Sequence, residues 1–138
     1  MSDLNRFLKA QETSYLQALT EIKNGRKTSH WIWYIFPQLK GLGMSSTADY
    51  YGIESLDEAI EYLQEPTLKA RLFEITEALL KLEETNPVAV LGYPDNLKVC
   101  SSMTLFYQAS KDELFKKVID KYYHGHFDHK TITLLTKK

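Results

Sequence analysis

The residues best suited to chemistry fall into two clusters and one isolated carboxylate. The first cluster is His30, Trp31 and Trp33, followed at once by Gln38, Lys40, Gly41 and Gly43. An imidazole gives or takes a proton near neutral pH. Indole faces stack on a flat ring such as a base or a nicotinamide. Two nearby glycines let a backbone approach a ligand or cradle an anion, though the Gly-x-x-x-x-Gly-Lys-Ser/Thr spacing of a phosphate loop is missing. The second cluster is Asp95, Lys98, Ser101, Ser102 and Thr104. Asp95 and Lys98 are three apart and Ser102 is four further on, so on a helix all three share a face. A helix start bearing a lysine and hydroxyls suits a phosphate or carboxylate. Asp128 is the isolated carboxylate, and with His30 and Asp95 it completes the candidate acid–base set.

Each feature also has a plainer reading. The tryptophans are core, His30 is a packing residue, the glycines make a turn, and Asp95 caps a helix while pairing with Lys98 at the surface. Arg71 and Glu58 read as a solvated ion pair. His124, His126 and His129 have the residue type of a zinc site, but Gly125 interrupts them and a fourth ligand is not evident, so no metal is expected. Cys100 has no Cys-His-Asn spacing around it and reads as a buried, inert thiol.

Positioning these residues requires helices. Leu4, Phe7, Leu8, Tyr15, Ala18, Leu19 and Ile22 recur at helical spacing, with Asp3 as a start and Gly25 as a left-handed stop. The apolar run Trp31 to Phe36 fits a buried strand or a helical turn or two, and the helical neighbours favour the second. Ser45 starts a short helix to Tyr51. Ser55-Leu-Asp-Glu58 is a capping box, Pro66 sits at a first helical position, and Leu68 to Leu82 line one face. Asn86-Pro87 opens a short helix that Gly92 ends. Asp95 opens the next, Ser110-Lys-Asp-Glu113 forms a second capping box, Gly125 breaks that helix, and Asp128 caps a final piece. No Asn-Gly or Asp-Gly pair joins two runs of alternating apolar residues, as a hairpin would need. The expected fold is all-α, a compact orthogonal bundle of about six to eight short and medium helices forming one domain over 1–138.

The totals exclude several classes. A chain of 138 residues buries roughly two-thirds of its unfolded surface without disulfide or metal. Seventeen Lys and Arg against 18 Asp and Glu leave a net charge of −1, so no nucleic-acid partner is expected. Met1 to Lys9 carries charges and no apolar run, unlike a signal peptide, and no run of about 18 apolar residues offers a membrane span. One cysteine rules out an internal disulfide and suits the cytoplasm.

Ser29-His-Trp-Ile-Trp-Tyr-Ile-Phe-Pro-Gln38 with Lys40-Gly-Leu-Gly43 is too particular for generic core. Phe7-x-x-Ala-Gln11, Tyr15-x-x-Ala-Leu19, Glu58-Ala59, Tyr62-Leu63, Arg71-Leu72, Leu91-Gly92, Pro94-Asp95, Lys98, Ser101-Ser-Met-Thr-Leu-Phe106 and Asp128-x-x-Thr131 accompany it. Together, over about residues 4 to 135, these resemble the family catalogued as domain of unknown function 1810. The resemblance implies an all-α bacterial domain of no established activity, and its last motif adds Thr131 to the ligand-binding candidates. Some members carry the label "calpastatin-like"; an inhibitor of that type is disordered, and this composition is not. The aromatic-rich segment, acidic helix start and lysine after a turn are also similar to the ADP-ribose-processing NADAR domains.

Two functional readings follow. In the first, Trp31, Trp33 and Gln38 with His30 form one wall of a pocket, and Lys98, Ser101, Ser102 and Thr131 with Asp95 and Asp128 form the other. That pocket would bind or process a nucleotide or ADP-ribose-type small molecule, with no cofactor. In the second, the chain is a non-enzymatic protein-interaction or regulatory module, marked by an exposed apolar patch in place of a concave polar site.

Overall fold

Ser45, Ser55, Asn86 and Asp128 each accept the first free N–H groups of the helix that follows, from Ala48, Glu58, Val88 and Thr131 at 2.9–3.2 Å. These local closures recur along the chain, and the computed structural model, which describes residues 3–137, is helical as expected. Met1, Ser2 and Lys138, the ends of the expected domain, lie outside the described residues.

Nine helices are present among the described residues: α1 (Asn5–Lys23), α2 (Ile32–Ile35), α3 (Ser46–Tyr51), α4 (Leu56–Gln64), α5 (Pro66–Lys81), α6 (Pro87–Leu91), α7 (Asp95–Ser110), α8 (Glu113–Tyr123) and α9 (His129–Thr136). None of them is long and apolar enough to cross a membrane. One isolated parallel bridge joins Leu39 to Ile53. The aromatic run of residues 31–36 does coil into the short α2.

Three expected caps are replaced. Leu4, with no side-chain bond, precedes α1, and the Asp3 carbonyl instead accepts from Arg6. Pro94 precedes α7, so Asp95 is its first residue and is free to make ion pairs. α7 continues to Ser110, whose hydroxyl donates to the Phe106 carbonyl at 2.7 Å, and Asp112 caps α8. The stop at Gly25 is as expected. It sits at φ +83°, where its N–H reaches the Ile22 carbonyl and the next N–H, of Arg26, reaches that of Glu21.

α7 is the centre of the packing. Residues Val99 to Phe106 are buried without a break, and α7 touches α2, α4, α6, α8 and α9. A helix surrounded on every side has no outer face for charge. Two of its interior hydroxyls turn back on their own helix: Ser101 donates to Leu97 O and Thr104 to Cys100 O. Around it runs an aromatic chain, Phe7 edge-on to Tyr62 at 5.2 Å, then Tyr62 to Phe106 and Phe106 to Phe115.

Glu58 pairs with Arg6 at 3.0 Å, not with Arg71, because the start of α1 packs over the turn before α4. Arg6 also donates to the Tyr50 and Gly52 carbonyls, both at 2.9 Å, and Glu58 accepts from Glu54 N–H. Both side chains of this pair are buried. Arg71 instead reaches Gln11 and lies over the Tyr15 ring. Arg6→Ala should therefore destabilise the protein by about 3 kcal/mol in urea unfolding, since it strands a buried carboxylate. The Arg6→Ala/Glu58→Ala double variant should recover part of that loss; equal or greater loss would contradict the pairing.

Candidate functional site

The carboxylate that organises the region is one the chemical inventory of the sequence passed over. Glu21, near the end of α1, is buried, and its two oxygens accept five hydrogen bonds. Oε1 takes the N–H groups of Thr28 and Ser29 and the Trp31 indole, at 2.8, 3.0 and 2.9 Å. Oε2 takes Ser29 Oγ at 2.7 Å and Gln17 Nε2 at 3.1 Å. Burial alone would raise its pKa. The bonds from Ser29 Oγ, the Thr28 N–H, the Trp31 indole and the Ser29 N–H outweigh that and hold the group at about 2, below its ordinary 4.5. The segment from Thr28 to Trp31 is thus folded around one charge. The only sequence signal was a glutamate at the edge of the apolar face of α1, beside Ala18 and Ile22.

Next to this segment, Lys27 Nζ bonds the Ser29 carbonyl at 2.5 Å and Asp95 Oδ2 at 2.7 Å. Asp95 Oδ1 meets Lys98 Nζ at 3.2 Å, and Lys98 Nζ lies 5.4 Å from the centre of the Trp33 ring. One aspartate is thus held between two lysines beside an indole face. Two ammonium groups thus meet one carboxylate at the start of α7, with the Glu21 carboxylate on the other side of Ser29.

Two open hollows adjoin it. The first, of ≈ 350 Å³, lies between the segment 27–33 and the loop 93–98; Ser29, His30, Trp33, Tyr93, Asp95 and Lys98 are among its walls. The second, of ≈ 520 Å³, lies between the loop 38–43, the first turns of α7 and the start of α9. Gln38, Leu42, Leu97, Ser101, Asp128 and Lys130 are on its walls. Pro94 and Lys98 belong to both. Gln38 is placed by the main chain: its carbonyl accepts from Ile53 N–H, and Lys40 N–H donates to Ile53 O.

The structure therefore brings together His30, Trp33, Gln38, Asp95, Lys98, Ser101 and Asp128 around these hollows. Three candidates lie elsewhere. Trp31 is in the core, 1% exposed, with its indole N–H on Glu21 and its ring tilted against Phe36. Ser102 is fully buried on α7, where a small side chain admits the surrounding helices, and its hydroxyl has no protein partner. Thr131 is fully buried under α9 and serves Asp128: its N–H and hydroxyl donate to Asp128 Oδ2 at 2.9 and 2.6 Å. Ser101, although at the hollow, bonds its own helix. The glycines form a turn. Gly41 adopts φ +101°, and a Cβ on Gly43 would stand 2.4 Å from the Ala48 Cβ, so helix packing requires its smallness.

Among the described residues no group of three or more His, Cys, Asp or Glu is arranged to hold a metal. Cys100 is buried, its thiol pushed up to about 12 by burial, with Asp128's charge adding to the rise and Thr104's hydrogen bond opposing it.

The protein family described as "Protein of unknown function (DUF1810)" matches residues 1–135, in line with the resemblance drawn over residues 4 to 135. Among solved structures, the chain is similar to the conserved hypothetical protein Rv1873 from Mycobacterium tuberculosis, a crystal structure at 1.38 Å. The two are 44% identical with a TM-score of 0.95, over 97% of this chain and 96% of that one. No curated protein matches the chain.

Two outcomes follow from the buried groups. Because the Glu21 pKa is lowered by folding, its stabilisation is complete above about pH 4.5 and is lost as pH falls from there towards 2. Glu21→Gln should lower stability at pH 7 by up to about 3 kcal/mol, and its thermal midpoint should converge on the parent's as pH drops through that window. A gap independent of pH would refute the assignment. Cys100 should resist a thiol reagent at pH 8 in the folded state and react fully in denaturant, as followed by absorbance.

Proposed function

The chain belongs to the DUF1810 family, and from that premise we propose that its cleft around Lys98 binds a polar aromatic small molecule of the nucleotide or ADP-ribose type. The observation that carries this reading is the position of Lys98. Its ammonium lies beside the Trp33 ring and Asp95, on a wall where three distant parts of the chain meet: 27–33, 38–43 and 128–130. A flat indole face supports a base or nicotinamide, and a partly exposed ammonium supports a phosphate.

Binding is better supported than catalysis. Reaction at a glycosidic carbon wants a carboxylate base with a cation nearby. Asp95 has the cations, but both of its oxygens are in ion pairs. Asp128 has one oxygen committed to Thr131, and His30 stands exposed at the first hollow. These three remain the groups to replace if turnover is found. The lone buried cysteine favours the cytoplasm as the place of work.

The rival reading, a protein-interaction module, draws on Tyr93 and Leu97, which are 75% and 51% exposed on the walls of the hollows. Thermal-shift titration with AMP, ADP-ribose and NAD separates the two. Saturating ligand should raise the midpoint by several degrees, and Trp33→Ala and Lys98→Ala should each weaken binding about tenfold or more. No shift with any of these ligands would overturn the small-molecule reading and leave the interaction module standing.

A further inference from the structure

Resting on the cleft reading, we infer that the preferred ligand is two-headed: an aromatic ring and a second ring or sugar joined through a phosphate-type anionic linker. Dinucleotide pyrophosphates and nucleoside-diphosphate conjugates belong to this class; a mononucleotide does not.

The shape of the cleft argues for it. The two hollows, ≈ 350 and ≈ 520 Å³, are separate but share Pro94 and Lys98. Each is near the lower end of the range for ligand pockets, enough for one ring system apiece. Their walls differ in character. The first is bordered by the aromatic residues Trp33 and Tyr93, and the second by Leu42 and Leu97 with Asp128 and Lys130. A mononucleotide filling one would leave the other to water.

The charges argue for where the linker lies. Lys27 also borders the first hollow, but it is 6% exposed and held by Asp95, the Ser29 carbonyl and the Trp31 ring, so it is the less available of the two ammonium groups. Its charge offsets that of Asp95. Lys98, on the shared wall, is 25% exposed and makes one ion pair, with Asp95 Oδ1. An ammonium has three donors, so Lys98 keeps capacity for an anion at the boundary between the hollows. An anionic group there would have one ring on each side.

The experiment is a calorimetric titration of the full chain with AMP, ADP-ribose and NAD, repeated with Leu97→Asp. Leu97 is half exposed, so this variant is expected to fold, which its thermal midpoint checks. ADP-ribose or NAD should bind at least about tenfold tighter than AMP, the gain expected from burying a second ring system. Leu97→Asp should bring that ratio close to one. Equal affinity for AMP and the linked ligands, or a ratio that survives Leu97→Asp, would overturn the two-headed ligand while the cleft reading stands. Absence of binding by all three would overturn both.

Discussion

A carboxylate removed from water must be surrounded by donors, and Glu21 meets that requirement with five of them. The same residue uses its main-chain carbonyl to close α1 through Arg26 N–H. One side chain and one carbonyl thus turn the chain at the end of α1 and set the course of the next ten residues. Ser29, His30 and Trp33 reach the first hollow because Trp31 is drawn inward to Glu21 and Phe36. Without an acceptor at position 21, the Thr28 and Ser29 N–H groups and the buried Trp31 indole would lose the bonds that seat the segment.

The cleft sits where the central helix comes out of the core. From Val99 to Phe106 α7 is enclosed, so only its two ends can present side chains to solvent, and the cleft lies at the first of them. Asp95 and Lys98 are on that end, and the loops before α2, after α2 and before α9 close around them. The helix interior is polar for packing reasons. Serine and threonine are small, and three of the hydroxyls in and at the end of α7 bond carbonyls four residues back.

The aromatic richness of the chain is mostly interior. Several tyrosines carry their hydroxyls into the core and satisfy them on carbonyls or side chains: Tyr122 on Leu79, Tyr123 on Asn96, Tyr62 under Gln11. Burial pushes these phenols up from their ordinary value, so they act as neutral hydrogen-bonding groups. Trp33 and Tyr93 are the aromatic residues on the walls of the first hollow.

Helical class, most element boundaries and the caps at Ser45, Ser55, Asn86 and Asp128 were legible in the sequence, because capping and periodicity act over three or four residues. Residue type and family resemblance also put Trp33, Gln38, Asp95, Lys98 and Asp128 among the candidates, and these five line the hollows. Trp31, Ser102 and Thr131 share those types and motifs, yet the fold buries them; residue type does not encode which face of a short helix will be covered. Glu21 and the Arg6–Glu58 pair were out of reach for the same reason. Their meaning depends on partners between 7 and 52 residues away. Local rules made the helices, and only their packing decided which polar groups would be interior struts and which would border a hollow.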